Sequence, residues 1–243
     1  MRFYVSPEYI FPEKKLIEIR DREELHHIRD VMRLGEGTRV TIFDGQGKEY
    51  SGHIKGINRR SAIISIRNIK EARSDVSYSV TLYQAIPKKS KMAFIIEKAV
   101  ELGVDTIVPI VTERTIPRID SKALSKIERW RRIATSASKQ SGRIRLPEIS
   151  KVIDFKKALS ESKKSGQVIF AALDETKVPL KTLLQAESQK DIAIFVGPEG
   201  DFSPGEISMA KDAGYSICSL GSLVLRVETA AIYILSCLSY EYR

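Results

Sequence analysis

Gly197-Pro198-Glu199-Gly200 and the pair Leu220-Gly221 with Leu225-Arg226-Val227-Glu228-Thr229-Ala230 are the residues of this chain best suited to chemistry. Each segment follows a short apolar run, at residues 192–196 and 215–219, so both read as loops at the carboxyl ends of strands. In an α/β sheet ligands collect beyond those ends, and glycine lets the backbone approach a ligand closely, so the two loops could frame one pocket. Pro198 removes one amide donor while its glycine neighbours leave backbone groups exposed, which suits an adenine edge or a methionine moiety better than a pyrophosphate. The loop matches neither GxxxxGK[ST] nor GxGxxG, which disfavours a nucleoside triphosphate or NAD. Glu199, Arg226, Glu228 and Thr229 are the polar residues beside it. For Arg226, an ion pair with Glu199 or Glu228 and a catalytic role are equally consistent with the spacing. No metal-ligand cluster and no Ser-His-Asp or Cys-His arrangement is legible, and His26, His27 and His53 all lie in the first seventy residues.

Positive charge comes in clusters. On a helix beginning at Ser121, about 100° per residue places Lys122, Lys126, Arg129 and Arg132 on one side and Leu124, Ile127, Trp130, Ala134 and Ala137 on the other. Lys139, Arg143 and Arg145 extend that basic surface into a loop where arginine can grip phosphate bidentately. Lys88, Lys89 and Lys91 follow a strand at its carboxyl end, and Arg29, Arg33, Arg59, Arg60 and Arg67 mark the first domain. Forty Lys and Arg against thirty-one Asp and Glu give a net charge of +9, which favours a polyanionic partner, RNA or DNA.

These residues need a scaffold with two parts. Residues 15–19, 39–43, 50–57 and 62–69 are β-rich and separated by turn signals, which predicts a small antiparallel barrel or sandwich. One helix interrupts it: Asp21 caps, Glu24 stands three residues on, and Leu25, Ile28, Val31 and Met32 repeat before Gly35. Residues 70–77 form a polar linker, so the domains are expected at 1–72 and 73–243. Beyond it strands alternate with helices, which predicts an α/β domain with a mainly parallel sheet covered on both faces. Residues 80–86, 106–110, 167–173, 191–196 and 215–219 read as strands, and 90–102, 121–138, 155–164, 204–213 and 229–240 as helices. Ser203 caps the fourth of these helices with Pro204 at its first position. No run approaches the roughly 20 apolar residues of a membrane span and no signal peptide is visible, so a cytoplasmic location is expected. Cys218 and Cys237 are expected reduced and buried.

With these residues laid out, the chain resembles the RsmE family of bacterial ribosomal RNA uridine methyltransferases, of the SPOUT superfamily, along nearly its whole length. The resemblance rests on several motifs in order: residues 27–33 with Phe43-Asp44-Gly45, residues 97–104 with Pro109, Glu113-Arg114, Gln140-Ser141-Gly142-Arg143, Gly197–Gly200, and Leu220-Gly221 with residues 225–230. It implies an N-terminal PUA-like RNA-binding β-barrel and a C-terminal domain whose chain forms a trefoil knot, with knot and cofactor site at about 170–235. Topology rules alone argue against any knot.

The resemblance also implies a homodimer that binds S-adenosyl-L-methionine and methylates N3 of a uridine in 16S ribosomal RNA of the small subunit. The matching cofactor positions are Leu173, Val196, Gly197, Pro198, Glu199, Gly200, Leu220, Gly221, Leu225, Thr229 and Ala230. For catalysis, Arg226 or Arg143 would stabilise charge developing on the uracil oxygens, with Glu199 or Glu228 orienting the arginine. Arg29, Arg33, Lys88, Lys91, Lys126, Arg129, Arg132, Lys139 and Arg143 would meet RNA. Two positions depart from the family pattern: Asp201 stands where a second glycine is usual and Leu223 where arginine is common, and the first is tolerable if its backbone is not left-handed. The last helix, with Ile232, Tyr233, Leu235 and Leu238, is the candidate dimer interface. Competing readings are a non-catalytic RNA-binding or ribosome-assembly factor of the same fold, and a methyltransferase acting on another RNA.

Overall fold

A computed structural model describes residues 1–71, 78–116, 123–185 and 190–242. Lys122, and the predicted linker beyond Glu71 up to Ser77, lie outside the described residues. The chain divides into two compact units, residues 1–74 with 138–146, and residues 75–137 with 147–243.

The first unit is built on β1 (Arg2–Tyr4), β2 (Ile10–Phe11), β3 (Leu16–Ile19), α1 (Arg22–His26), β4 (Arg39–Phe43), β5 (Lys48–Ile57) and β6 (Ala62–Glu71). Its sheet runs in the order β1-β4-β5-β6-β3-β2, with only the β1–β4 pairing parallel. Alternate residues of each strand point inward, so Ile17, Ile19, Val40, Ile42, Ile54 and Ile64 close one core together with Phe3. The two shortest strands, β1 and β2, carry too few residues for a period of two to be read from sequence.

Asp21 caps α1 as predicted, accepting from the Glu24 amide at 2.9 Å. The helix then widens into a π turn over His27–Val31, with the Met32 amide bonded to the His27 carbonyl five residues back. That wider turn carries Val31 and Met32 off the buried face, so they are exposed at 58% and 37% while Leu25 and Ile28 are buried. Glu24 does not complete a capping box; its carboxylate turns to Lys139, 2.7 Å away, within the same unit.

Residues 138–146 belong to this unit because Asp44-Gly45-Gln46-Gly47 holds them. The Asp44 carboxylate accepts from the amides of Gln46, Gly47 and Lys48 at 2.8–3.0 Å, and the Gly45 carbonyl accepts from Leu146 at 2.9 Å. Gly45 and Gly47 have φ of +74° and +114°, and a Cβ on either would sit 2.9 Å from the Leu146 or Arg145 side chain. Only glycine fits that close approach.

The second unit contains β7 (Ser79–Ala85), α2 (Lys91–Glu101), β8 (Thr106–Val111), α3 (Ala123–Ser141, in this unit as far as Ala137), β9 (Glu148–Ile149), β10 (Ile153–Asp154), α4 (Phe155–Ser162), β11 (Gln167–Ala171), β12 (Val178–Pro179), α5 (Leu180–Leu184), β13 (Asp191–Val196), α6 (Pro204–Asp212), β14 (Ser216–Ser219) and α7 (Val227–Tyr242). All its recorded pairings are parallel, in the order β10-β8-β7-β13-β11-β14-β12, with β9 beside β8. Each central strand is buried on both faces. In β13, Ile192, Ile194 and Val196 join the core under α2, α3 and α7, while Ala193 and Phe195 join the core under α4 and α6. A strand covered on both sides must be apolar at every position, which is why these strands read as continuous runs.

Ile127, Trp130, Ala134 and Ala137 of α3 are buried as the helical pattern requires, but Leu124 is 73% exposed. It stands in the first turn, one turn before the helix meets the core at Ile127. The helix expected at 229–240 begins two residues earlier, at Val227, and its Leu235 and Leu238 are buried in their own unit; of the suggested interface residues only Tyr233 is substantially exposed, at 43%.

Candidate functional site

Three loops meet beyond the carboxyl ends of three neighbouring strands. β11 lies between β13 and β14, although both follow it in the chain, so successive connections run to opposite sides of β11. A crevice opens where connections diverge in this way. It holds a cavity of about 310 Å³, in the range of small-molecule sites. Its wall comes from Ala171 to Leu173 after β11, from Val196 to Glu199 after β13, and from Ser219 to Val227 after β14. The lining is mostly apolar: Ala171, Val196, Cys218, Val227 and Ala230 are buried beneath it.

Of the cofactor positions expected from the sequence, Leu173, Val196, Gly197, Pro198, Glu199, Leu220, Gly221, Leu225 and Ala230 line this cavity, and Gly200 and Thr229 do not. Thr229 faces outward on α7. Gly200 supports the loop from behind, its carbonyl accepting from Arg114 Nη1 at 2.6 Å. Arg114 also donates to the Phe202 carbonyl at 3.3 Å. Beside it, the buried Glu206 carboxylate accepts from the Glu113 and Ser203 amides, both at 2.9 Å, while the Ser203 hydroxyl caps α6. Arg114 and Glu206 therefore fix the Gly197–Gly200 loop without touching the cavity. The Glu113-Arg114 pair and the capping position of Glu206 were the signals in the sequence, but the connection between them needs the fold.

The charged residues are arranged differently from either ion pair considered for Arg226. Lys91 Nζ lies 3.1 Å from Glu228 and 3.5 Å from Glu199, and the Glu199 carboxylate also accepts from the Lys88 amide at 3.0 Å. Lys91 stands in the first turn of α2, close enough to both carboxylates to compensate them. Desolvation pushes the Glu228 carboxyl up, but hydrogen bonds with its own amide and with Lys91, together with the positive charges of Lys91 and Arg226, outweigh it and hold the group below its usual value. Arg226 consequently makes no ion pair among the described residues and remains exposed on the cavity wall. Lys91, grouped with the RNA-facing bases in the sequence, is thus part of the cavity wall, as are Lys177, Leu223 and Val224. The last two are 77% exposed.

Asp201 has φ of +60°, a left-handed backbone. The condition under which the sequence made this residue tolerable is not met, and the physical compensation is that aspartate accepts this conformation more readily than most residues.

Burial, followed by the proximity of Cys237, pushes the Cys218 thiol up to about 12. Both cysteines are free, Cys218 buried and Cys237 half-buried. Cys218 is therefore expected to resist iodoacetamide in the native protein at mildly alkaline pH, because the thiolate is the reactive form. Peptide mapping of alkylated sites checks this, and rapid native labelling of Cys218 would contradict it.

The remaining basic candidates are distributed over both units. Arg143 lies in the first unit, where its Nε donates to the Arg145 carbonyl and its own carbonyl accepts from Arg2 at 2.9 Å. Arg29 clasps Asp30 through two bonds of 2.7 and 2.8 Å, and Arg33 is exposed. Lys139 is held by Glu24. In the second unit Lys88, Arg129 and Arg132 are exposed and Lys126 is partly so, with Glu128 taken by Arg131 at 2.9 Å.

Among the described residues there is no His, Cys, Asp and Glu grouping able to hold a metal, and no helix is long and apolar enough to cross a membrane.

Comparison with known proteins gives this geometry its context. Residues 74–239 match the model of the RNA methyltransferase domain, and residues 19–67 match the RNA methyltransferase PUA domain. Ribosomal RNA small subunit methyltransferase E of Bacillus subtilis (strain 168) is 28% identical over 90% of this chain and 88% of its own length. The protein of the same name from Synechocystis is 31% identical over 94% of this chain and 74% of its own. A crystal structure of ribosomal RNA small subunit methyltransferase E from Neisseria gonorrhoeae, bound to S-adenosyl methionine, superposes with a TM-score of 0.87 at 27% identity, covering 99% of this chain and 97% of that one. By its α/β methyltransferase domain, its PUA-like N-terminal domain and this similarity along nearly its whole length, the chain belongs to the ribosomal RNA small subunit methyltransferase E family.

Proposed function

We propose that this protein is an S-adenosylmethionine-dependent methyltransferase that acts on N3 of a uridine in 16S ribosomal RNA, within the small ribosomal subunit. The observation that carries the reading is an apolar cavity framed by three strand-end loops, with an exposed arginine on its wall that forms no ion pair among the described residues. The cavity suits the cofactor by its chemistry: backbone groups of Gly197, Pro198 and Gly221 along its wall can meet an adenine edge, and the apolar floor can take the thioether chain. When bound, the cofactor supplies an electrophilic methyl group on a sulfonium.

This chain's residues then have three tasks. The loops hold the reacting atoms in line, which in well-oriented reactions is worth about 7–11 kcal/mol. Arg226 would donate to a uracil oxygen as negative charge spreads from N3, whose proton is released to solvent water while N3 takes the methyl group. Lys91 compensates Glu199 and Glu228, so that neither carboxylate draws Arg226 away from the cavity. We assign Arg226 the catalytic role, Glu199 and Glu228 support through Lys91, and Arg143, in the first unit, an RNA contact. Arg29, Arg33, Lys88, Lys126, Arg129 and Arg132 are proposed to track phosphates, positioning the RNA without reading its bases. We further propose that the active unit is a homodimer, for which exposed Phe94 on α2 and Tyr233 on α7 offer an apolar contact, that the segment around the cavity is knotted, and that the protein works in the cytoplasm.

Incubation with radiolabelled S-adenosylmethionine and undermethylated small subunits, naked ribosomal RNA or transfer RNA tests the reading, with the modified base mapped by mass spectrometry. Label at uridine N3 in small-subunit RNA is the expected outcome. Transfer only to another RNA would change the substrate, and absence of cofactor binding would favour a non-catalytic RNA-binding factor.

A further inference from the structure

We propose that Asp201 is a positioning residue that fastens the turn after β11 to the Gly197–Gly200 loop and so sets the shape of the cofactor cavity; this rests on the S-adenosylmethionine reading above. Its backbone amide donates to the Pro198 carbonyl at 2.9 Å, closing the turn that contains Glu199 and Gly200. Its carboxylate reaches the other way: Oδ2 accepts from the Leu173 amide at 2.7 Å. Oδ1 lies against the bare Cα of Gly197, only 3.2 Å from where a Cβ would stand. Leu173, Gly197, Pro198 and Asp201 all line the cavity, so this one residue joins two of its three walls.

The left-handed φ of +60° strengthens the argument. Glycine would adopt that backbone without strain, yet the position carries a side chain, and that side chain makes the only recorded bond to the Leu173 amide among the described residues. A residue that breaks a local backbone rule while making a connection between functional loops marks a constrained site. Arg114 keeps the arrangement electrically compatible, its guanidinium bonding the neighbouring Gly200 and Phe202 carbonyls.

The tie can be cut without disturbing the turn. Asp201→Gly suits the left-handed backbone and lacks an acceptor, whereas Asp201→Asn tolerates the same backbone and keeps one side-chain oxygen able to accept from Leu173. Hydrogen exchange on the cofactor-free protein is expected to show the Leu173 amide exchanging about tenfold faster in Asp201→Gly, the scale of one lost charge-assisted bond. S-adenosylmethionine affinity should weaken by about the same factor while kcat at saturating cofactor holds, and Asp201→Asn should restore part of both. Unchanged exchange at Leu173 in Asp201→Gly would overturn the tie itself. Faster exchange with unaltered cofactor affinity would overturn its role in shaping the cavity. A parent protein that binds no S-adenosylmethionine would instead overturn the functional reading on which the role depends, leaving the exchange comparison to judge the tie.

Discussion

Arg226→Ala is expected to lower kcat by about 10²–10³-fold, the effect of removing one donor from a site that stabilises developing negative charge. Affinity for S-adenosylmethionine should change little, because Arg226 occupies the rim of the cavity and the apolar floor and loop backbones remain. The basis is that this guanidinium makes no ion pair among the described residues, while Lys91 stands within 3.5 Å of Glu199 and 3.1 Å of Glu228. An arginine locked between two carboxylates would have its donors occupied; this one feels the Glu228 charge but keeps its donors available to the substrate. Arg226→Lys should fall between, since ammonium retains the charge and loses the planar fork. Single-turnover assays at saturating cofactor and RNA measure the chemical step directly. A full rate in Arg226→Ala would remove the residue from catalysis, and an equal loss of cofactor affinity and rate would recast it as a binding residue.

Lys139→Met is expected to destabilise the first unit by about 3–5 kcal/mol at neutral pH, the usual cost of removing one partner from a buried ion pair. Glu24 is 6% exposed, its Oε1 bonds Lys139 at 2.7 Å, and its Oε2 has no hydrogen-bond partner among the described residues. Burial pushes the Glu24 carboxyl above its usual value even though Lys139 pulls it down. With the folded-state value raised, the folded unit gains the proton first, so Glu24 favours folding below the unfolded-state value and loses that contribution as pH rises through the folded one. Without Lys139 the folded value climbs further. The defect should accordingly be largest at neutral and alkaline pH and shrink under acid conditions that protonate Glu24 in both states. Urea titrations across that range test the trend, and Glu24→Gln in the Lys139→Met background should recover much of the loss. A defect independent of pH, or unrelieved by Glu24→Gln, would show that Lys139 supports the unit through its aliphatic stem alone.

The sequence by itself determined the elements whose chemistry is local or periodic. Buried β13 and β4 were legible to their end residues because an apolar run covered on both faces and an alternating strand each carry a clear period. The capping of α1 by Asp21 and of α6 by Ser203 followed from side chains that reach only three residues. The two glycine-bearing loops and Arg226 were identifiable because strand ends and loop residues are marked in one dimension. Short strands such as β9 and β12, two residues each, fall below any period, and the π turn after α1 changed the rotation on which exposure of Val31 and Met32 depends.

Tertiary structure alone decided which charges meet. Lys91 and Glu228 are 137 positions apart, and so many acids and bases separate them that no spacing rule selects that pair over Arg226 with Glu228. The same holds for Glu24 with Lys139 and for Asp201 with the Leu173 amide. Long-range electrostatic partners are set by the register of strands and the packing of helices, whereas caps, turns and apolar periods are set by neighbours along the chain. The loops that frame the cavity were therefore marked in the sequence, and which charged residues meet beside it was decided only when the sheet brought three strand ends together.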